Sequence, residues 1–166
     1  PSKTGFNAYS NVIYKQGNFS AGVRYESYLN SVLGFPGRFT GTGMGYRFAR
    51  YEDRERGVDV TIGNFYEQFG NGMLFRSYEA RDLGLDNAMD GIRLILTPID
   101  ALRLKVVYGK QRLDFSDGLV NGDGIVRGVN AELSVNDLFD KFKDSKFRIN
   151  PEFSFVSRFQ EGGNIL

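Results

Sequence analysis

The 166-residue chain is long enough for one sizeable core, and its 21 basic and 20 acidic residues leave it nearly neutral, with no general attraction to nucleic acid or an anionic membrane surface. It holds no Cys and no His, which excludes disulfides, thiolate chemistry, His-dependent triads and the commonest metal ligand. No run of eighteen apolar residues is present, which excludes a membrane-spanning helix but not a membrane strand, and the N-terminal PSKTGFNAYS does not read as a signal peptide.

The dominant pattern is alternation, with 15 Phe and 9 Tyr supplying much of the apolar side of it. A first, less regular strand fits residues 6–14. In NFSAGVRYESYL, Phe19, Ala21, Val23 and Tyr25 share one face, and Ser20, Gly22, Arg24 and Glu26 share the other. Another less regular strand fits 39–50, with Gly41, Gly43 and Gly45 on its polar side. VDVTIG then sets Val58, Val60 and Ile62 against Asp59, Thr61 and Gly63, and a further strand fits 91–97. ALRLKVVYGKQ sets Leu102, Leu104, Val106 and Tyr108 against Arg103, Lys105 and Gly109. IVRGVNAELSV sets Val129, Ala131, Leu133 and Val135 against Gly128, Asn130, Glu132 and Ser134. FRINPEFSFVSRF sets Phe147, Ile149, Phe153 and Phe155 against Arg148, Asn150, Glu152 and Ser154.

Eight strands result, most of them close to the length that crosses a bilayer when tilted. Their polar faces carry charge in mid-strand, and their apolar faces gather aromatics towards the ends: Phe19, Tyr25, Tyr46, Phe48, Tyr108 and Phe147. Apolar outside, polar inside, with aromatic girdles, is the requirement of a transmembrane β-barrel. A half-solvated sheet of a soluble β-sandwich explains any one strand equally well.

The connections alternate in length. KQGN at 15–18, the charged YEDRERG at 51–57 and TPID at 97–100 are short, whereas NSVLGFPG at 30–37, residues 64–90 and QRLDFSDGLVNGDG at 111–124 are longer. NDLFDKFKDSK at 136–146 is of middling length and its pattern fits a helical turn. Short turns on one side and long loops on the other are the rhythm of outer-membrane barrels. If the KQGN turn is periplasmic, both ends of the chain lie on the outer side, so residues 1–166 read as one barrel section without an internal boundary, internal to a larger barrel, although eight strands can in principle close a small one.

The stretch GVDVTIGNFYEQFGNGMLFRSYEARDLGLDNAMDGIRL, followed after a short gap by YGKQR, resembles an uncharacterised family of Bacteroidetes outer-membrane barrel proteins. The likeness rests on Gly63–Gly72, Phe75–Asn87, Gly91–Arg93 and Gly109–Arg112. It implies an outer-membrane location, a barrel architecture and a longer whole protein, and no reaction.

The 64–90 segment mixes Phe65, Tyr66, Phe69, Phe75 and Tyr78 with Glu67, Arg76, Glu79, Arg81, Asp82, Asp86 and Asp90. Connections of this length are usually functional or disordered, and its aromatics argue against disorder. It is expected to fold into the lumen, where Arg76, Glu79 and Arg81 pair with inward Arg24, Glu26, Asp59, Arg93 and Arg103; Glu67 and Lys105 complete the candidate lumen and loop residues. The bland alternative is an external lid with ordinary ion pairs. Glu67 with Glu79 offers the carboxylates of a glycosidase-like pair, but nothing fixes their separation, and no enzyme is expected. Asp114, Asp117, Asn121 and Asp123 offer oxygens to Ca²⁺ without EF-hand spacing and read as turn chemistry, so no metal or cofactor is expected. Gly70-Asn71-Gly72 lacks the Lys-Ser/Thr of a phosphate loop and reads as a turn.

The sequence therefore predicts an all-β, antiparallel transmembrane barrel section in a bacterial outer membrane. Its expected role is a porin-like channel for small polar solutes or ions, or a structural barrel. Its expected partners are then outer-membrane lipid and other outer-membrane proteins, not nucleic acid. The alternatives are a soluble β-sandwich binding module and an accessory barrel subunit of an uptake or secretion complex.

Overall fold

The computed structural model describes residues 4–30, 32 and 35–160; EGGNIL at the C-terminus and residues 31, 33 and 34 of the NSVLGFPG connection lie outside them. Eight long strands follow one another as an antiparallel meander: β1 (Phe6–Gln16), β2 (Phe19–Leu29), β3 (Phe39–Asp53), β4 (Val58–Phe65), β7 (Met89–Ile99), β8 (Leu102–Ser116), β9 (Leu119–Leu133) and β10 (Glu152–Phe159). Between β4 and β7, a two-residue ribbon joins β5 (Glu79–Ala80) to β6 (Leu85–Asp86) around a 3₁₀ turn, Arg81–Leu83. A single helical turn, α1 (Val135–Leu138), precedes β10.

The short turns gather at one rim of the sheet. Asn18 O accepts from the Glu52 N–H and Gly57 O from the Thr97 N–H, which ties three short turns into one rim. The Ser134 N–H donates to Ala101 O and brings the 134–151 connection to that same rim. At the opposite rim the sheet curls until Phe39 and Thr40 of β3 run parallel to Phe115 and Ser116 of β8. Tyr28, Phe35, Phe39 and Phe115 pack together there, with Tyr9 against them. Among the described residues, β1 and β10 form the two edges of the sheet.

Alternation decides which face each side chain takes. Ile62, Ile92 and Tyr108 stand side by side across β4, β7 and β8, and all three are exposed on the convex face, Ile62 at 58 %. Val23, Val106, Val129 and Phe155 are exposed in the same way. The concave face is polar and buried: Glu26, Asn64 and Asn130 are each 0 % exposed.

Three expectations are corrected. Residues 111–124 are not a long loop: β8 and β9 continue through them to a tight turn at Asp117–Gly118. Register shifts at Lys110/Arg112 and Arg112/Asp114 interrupt the alternation, and the Asp and Gly residues there look like loop composition. Phe147–Pro151 are not strand. The buried Asn136 side chain donates to Phe142 O and Phe147 O and accepts from the Ile149 N–H, while the Val135 N–H donates to Ile149 O and the Leu133 N–H to Pro151 O; these bonds hold the stretch against α1 and the end of β9 without making it a strand, and Pro151 has no N–H to pair. Tyr46 and Phe48 do not join an outer girdle. The register passes from Val23↔Arg47 to Tyr25↔Met44, so Gly45 and Tyr46 together oppose Arg24. That bulge carries Tyr46 and Phe48 to the concave side and turns Arg47 outward.

Candidate functional site

Gly63, Gly91 and Gly109 face one another across β4, β7 and β8 at the point where the 64–90 segment leaves the sheet. A Cβ on Gly91 would come 2.6 Å from the Gly109 Cα, so the strands approach too closely here for any side chain. Beyond this row the chain turns back and descends along the concave face instead of rising away from it. Four of its glycines support that path with positive φ: Gly63 at 96°, Gly70 at 48°, Gly72 at 83° and Gly84 at 61°.

The aromatics anchor it. Phe65, Phe69 and Phe75 bury with Met89 and Val107, and Val126 and Val156 pack against the cluster. The Phe69 ring lies over Gly128 of β9, and Gly70 comes to rest beside the Glu152 carboxylate at the start of β10. Tyr66 stacks on Tyr46 with ring centroids 5.2 Å apart. Tyr46 can take part because the β3 bulge has turned it inward.

Two charge networks join the segment to the wall. Nearer the short-turn rim, Glu67 reaches Arg93 at 3.6 Å and Lys105 at 3.5 Å, and the Lys105 ammonium donates to Gln68 O. Arg93 also holds Asp59 at 2.7 Å, Asp59 holds Arg50 at 2.8 Å, and Lys105 holds Glu132 at 2.7 Å. The result is an alternating chain, Arg50–Asp59–Arg93–Glu67–Lys105–Glu132, that crosses five strands with one residue from the segment in the middle. Towards the other rim, Arg24 forks onto Glu79 at 2.8 and 3.3 Å. Arg112 forks onto Glu26 at 2.7 and 3.2 Å and reaches Asp86 at 2.6 Å. Arg112 is 1 % exposed, so this pair of carboxylates shares a cation out of water. Asp86 also accepts from the Tyr66 hydroxyl at 3.0 Å and the Ala88 N–H at 3.2 Å. Burial pushes the Tyr66 hydroxyl up in pKa, and the Asp86 carboxylate beside it adds to that. Burial likewise raises the Asp86 carboxyl, with Arg112 opposing it.

The predicted residues thus come together in part. Arg24, Glu26, Asp59, Glu67, Glu79, Arg93 and Lys105 all enter these networks. Arg76 does not pair with the wall; it lies over the Tyr78 ring at 4.3 Å. Arg81 turns to Glu79 of its own segment at 2.9 Å and to the Tyr9 ring at 4.6 Å. Arg103 is exposed at the short-turn rim. Two residues outside the predicted set matter most, Arg112 and its partner Asp86. The signal for Arg112 lay in the Gly109–Arg112 stretch that carries the family likeness. The Asp/Asn group of the β8–β9 hairpin disperses: Asp114 pairs with Arg38, Asp117 accepts from the Thr42 N–H, and Asn121 donates to Asp90.

The arrangement is a curved polar wall filled by a segment of the same chain. Chemically it offers clustered guanidinium and ammonium donors facing fixed carboxylates. No curated protein and no solved structure matches the chain. A family match extends over residues 2–165, and the chain belongs to that family, the family of unknown function DUF6029.

Proposed function

We propose that this chain is a transmembrane section of a bacterial outer-membrane β-barrel, porin-like, with residues 64–90 folded into its lumen as a plug. The observation that carries the reading is inverted polarity. Ile62, Val129 and Phe155 stand exposed on the convex face, while Arg112, Glu26 and Asn130 are buried on the concave one. Water would favour the reverse, and a bilayer around the sheet rewards this arrangement. The resemblance to Bacteroidetes outer-membrane barrels points the same way. In a bilayer the β1 and β10 edges are paired, with each other or with further strands, since unpaired backbone is not tolerated there.

The soluble sandwich reading needs a second sheet over the exposed apolar face. Among the described residues the second sheet is only the β5–β6 ribbon, and it lies on the concave side. Extraction separates the two readings. The protein should stay with the membrane pellet until detergent is added, and the folded protein should raise the conductance of a planar bilayer when residues 73–83 are removed. Recovery in plain buffer after lysis sinks the barrel; unchanged conductance from a folded, shortened protein leaves the segment as a structural filler.

A further inference from the structure

The wall networks contain five cations, Arg24, Arg50, Arg93, Lys105 and Arg112, against four wall carboxylates, Glu26, Glu52, Asp59 and Glu132. By itself the wall therefore carries a surplus of one positive charge, before the segment's three carboxylates are added. The segment supplies three carboxylates to it, and each meets a wall cation: Glu67 meets Arg93 and Lys105, Glu79 meets Arg24, and Asp86 meets Arg112. The contact of Arg24 with Glu79 has the forked geometry by which guanidinium groups recognise carboxylates, whereas Arg112 forks onto the wall's own Glu26 and meets Asp86 through one N–H. The donors are not exhausted, because the Nε–H groups of Arg93 and Arg112 are buried without an acceptor. Buried donors of this kind are costly to leave unpaired.

We propose that the concave wall is a binding surface for small polycarboxylate anions, and that the 64–90 segment occupies it in the manner of a tethered ligand. Glu67 and Glu79 are the displaceable groups. Both sit on limbs between positive-φ glycines, Gly63 and Gly70 for Glu67, and Gly72 and Gly84 for Glu79. Asp86 and Arg112 belong to the more deeply buried core and hold the base of the segment in place. A free polycarboxylate competes with Glu67 and Glu79 for Arg93, Lys105 and Arg24. The route by which such an anion enters rests on the channel reading above; the binding itself rests on the wall.

The test uses citrate as the probe, with chloride at matched ionic strength as the control, on the full chain folded in detergent. Thermal unfolding followed by circular dichroism is the readout. The E67Q/E79Q variant removes the tethered carboxylates and keeps their shape. It should melt lower than the parent in chloride and recover roughly 5 °C or more in saturating citrate, while the parent moves little. Adding Arg24→Gln and Lys105→Gln to that variant should abolish the recovery. An E67Q/E79Q protein indifferent to citrate overturns the proposal, as does a recovery that persists without the two wall cations, which would mark a general ion effect. If the double variant does not fold, the parent still decides the matter. Citrate should speed tryptic cleavage after Arg76 or Arg81 by loosening the segment, and an unchanged or slower rate counts against competition. None of these readouts measures conductance, so failure here is distinct from failure of the channel reading.

Discussion

Replacing Arg112 with Met is the sharpest probe of how the segment is held. The side chain is 1 % exposed and is the nearer of two cations shared by Glu26 and Asp86, which are 0 % and 4 % exposed; Arg24 lies 3.8 Å from each. Without it, Glu26 keeps the Tyr28 hydroxyl at 2.9 Å and the Tyr46 N–H at 3.3 Å, and Asp86 keeps Tyr66 and Ala88. Hydrogen bonding is therefore largely retained, and what is lost is the nearer compensating charge of two buried carboxylates, with Arg24 left 3.8 Å from each. Breaking a buried pair in this way costs about 3–5 kcal/mol, a large share of the stability of a domain. The triple variant R112M/E26Q/D86N leaves no buried charge uncompensated and should fall well short of that cost. The deficit of R112M should also grow with pH. Asp86 is already raised by burial, and without Arg112 it holds its proton in the folded state above the pH at which the unfolded chain releases it, so folded stability falls as pH rises through that value. Urea titrations in lipid vesicles between about pH 4 and 8, followed by tyrosine fluorescence since the chain has no Trp, measure all three proteins. An R112M protein within about 1 kcal/mol of the parent, or a triple variant worse than R112M, refutes the reasoning.

Val129→Arg on the convex face should cost about 2–4 kcal/mol if that position lies near the bilayer midplane; no loss in vesicles, measured by urea unfolding, argues against lipid there. Gly91→Val should prevent the close approach of β7 to β8 and destabilise the sheet by about 2 kcal/mol or more, read as a lower urea midpoint, whereas Gly37→Val, with open space around it, should be silent. Because the chain has no Cys, single cysteines at Asp82 or Asp117 and at Asn18 or Glu55 should label from opposite sides of intact outer membrane; labelling of all four by an impermeant reagent breaks the assignment of sides. Phe69→Ala should loosen the segment and raise its rate of proteolysis between Gly70 and Gly84, since the ring anchors it over Gly128.

Which residues turn inward along β2, β4 and the regular parts of β8 and β9 is written in the sequence, because alternation is a property of the extended backbone and holds wherever no bulge intervenes. Arg24, Glu26, Asp59, Arg93 and Lys105 could be placed on one face from that period, and the mixed aromatic and charged content of residues 64–90 already argued for a packed segment. Tertiary structure decided the rest. A bulge is a count of residues against a neighbouring strand, so no single strand announces it, yet the bulges at Gly45–Tyr46 and beside Arg112 reverse the faces that strict alternation assigns. They bring Tyr46 under Tyr66 and Arg112 between Glu26 and Asp86. The choice of partner is equally non-local. Arg76 and Arg81 had the right charge to pair with the wall, but the path of the segment past the glycine row put Glu67, Glu79 and Asp86 against it instead. Charge and period restrict what a residue can do; the curl of the sheet determines which carboxylate reaches each arginine.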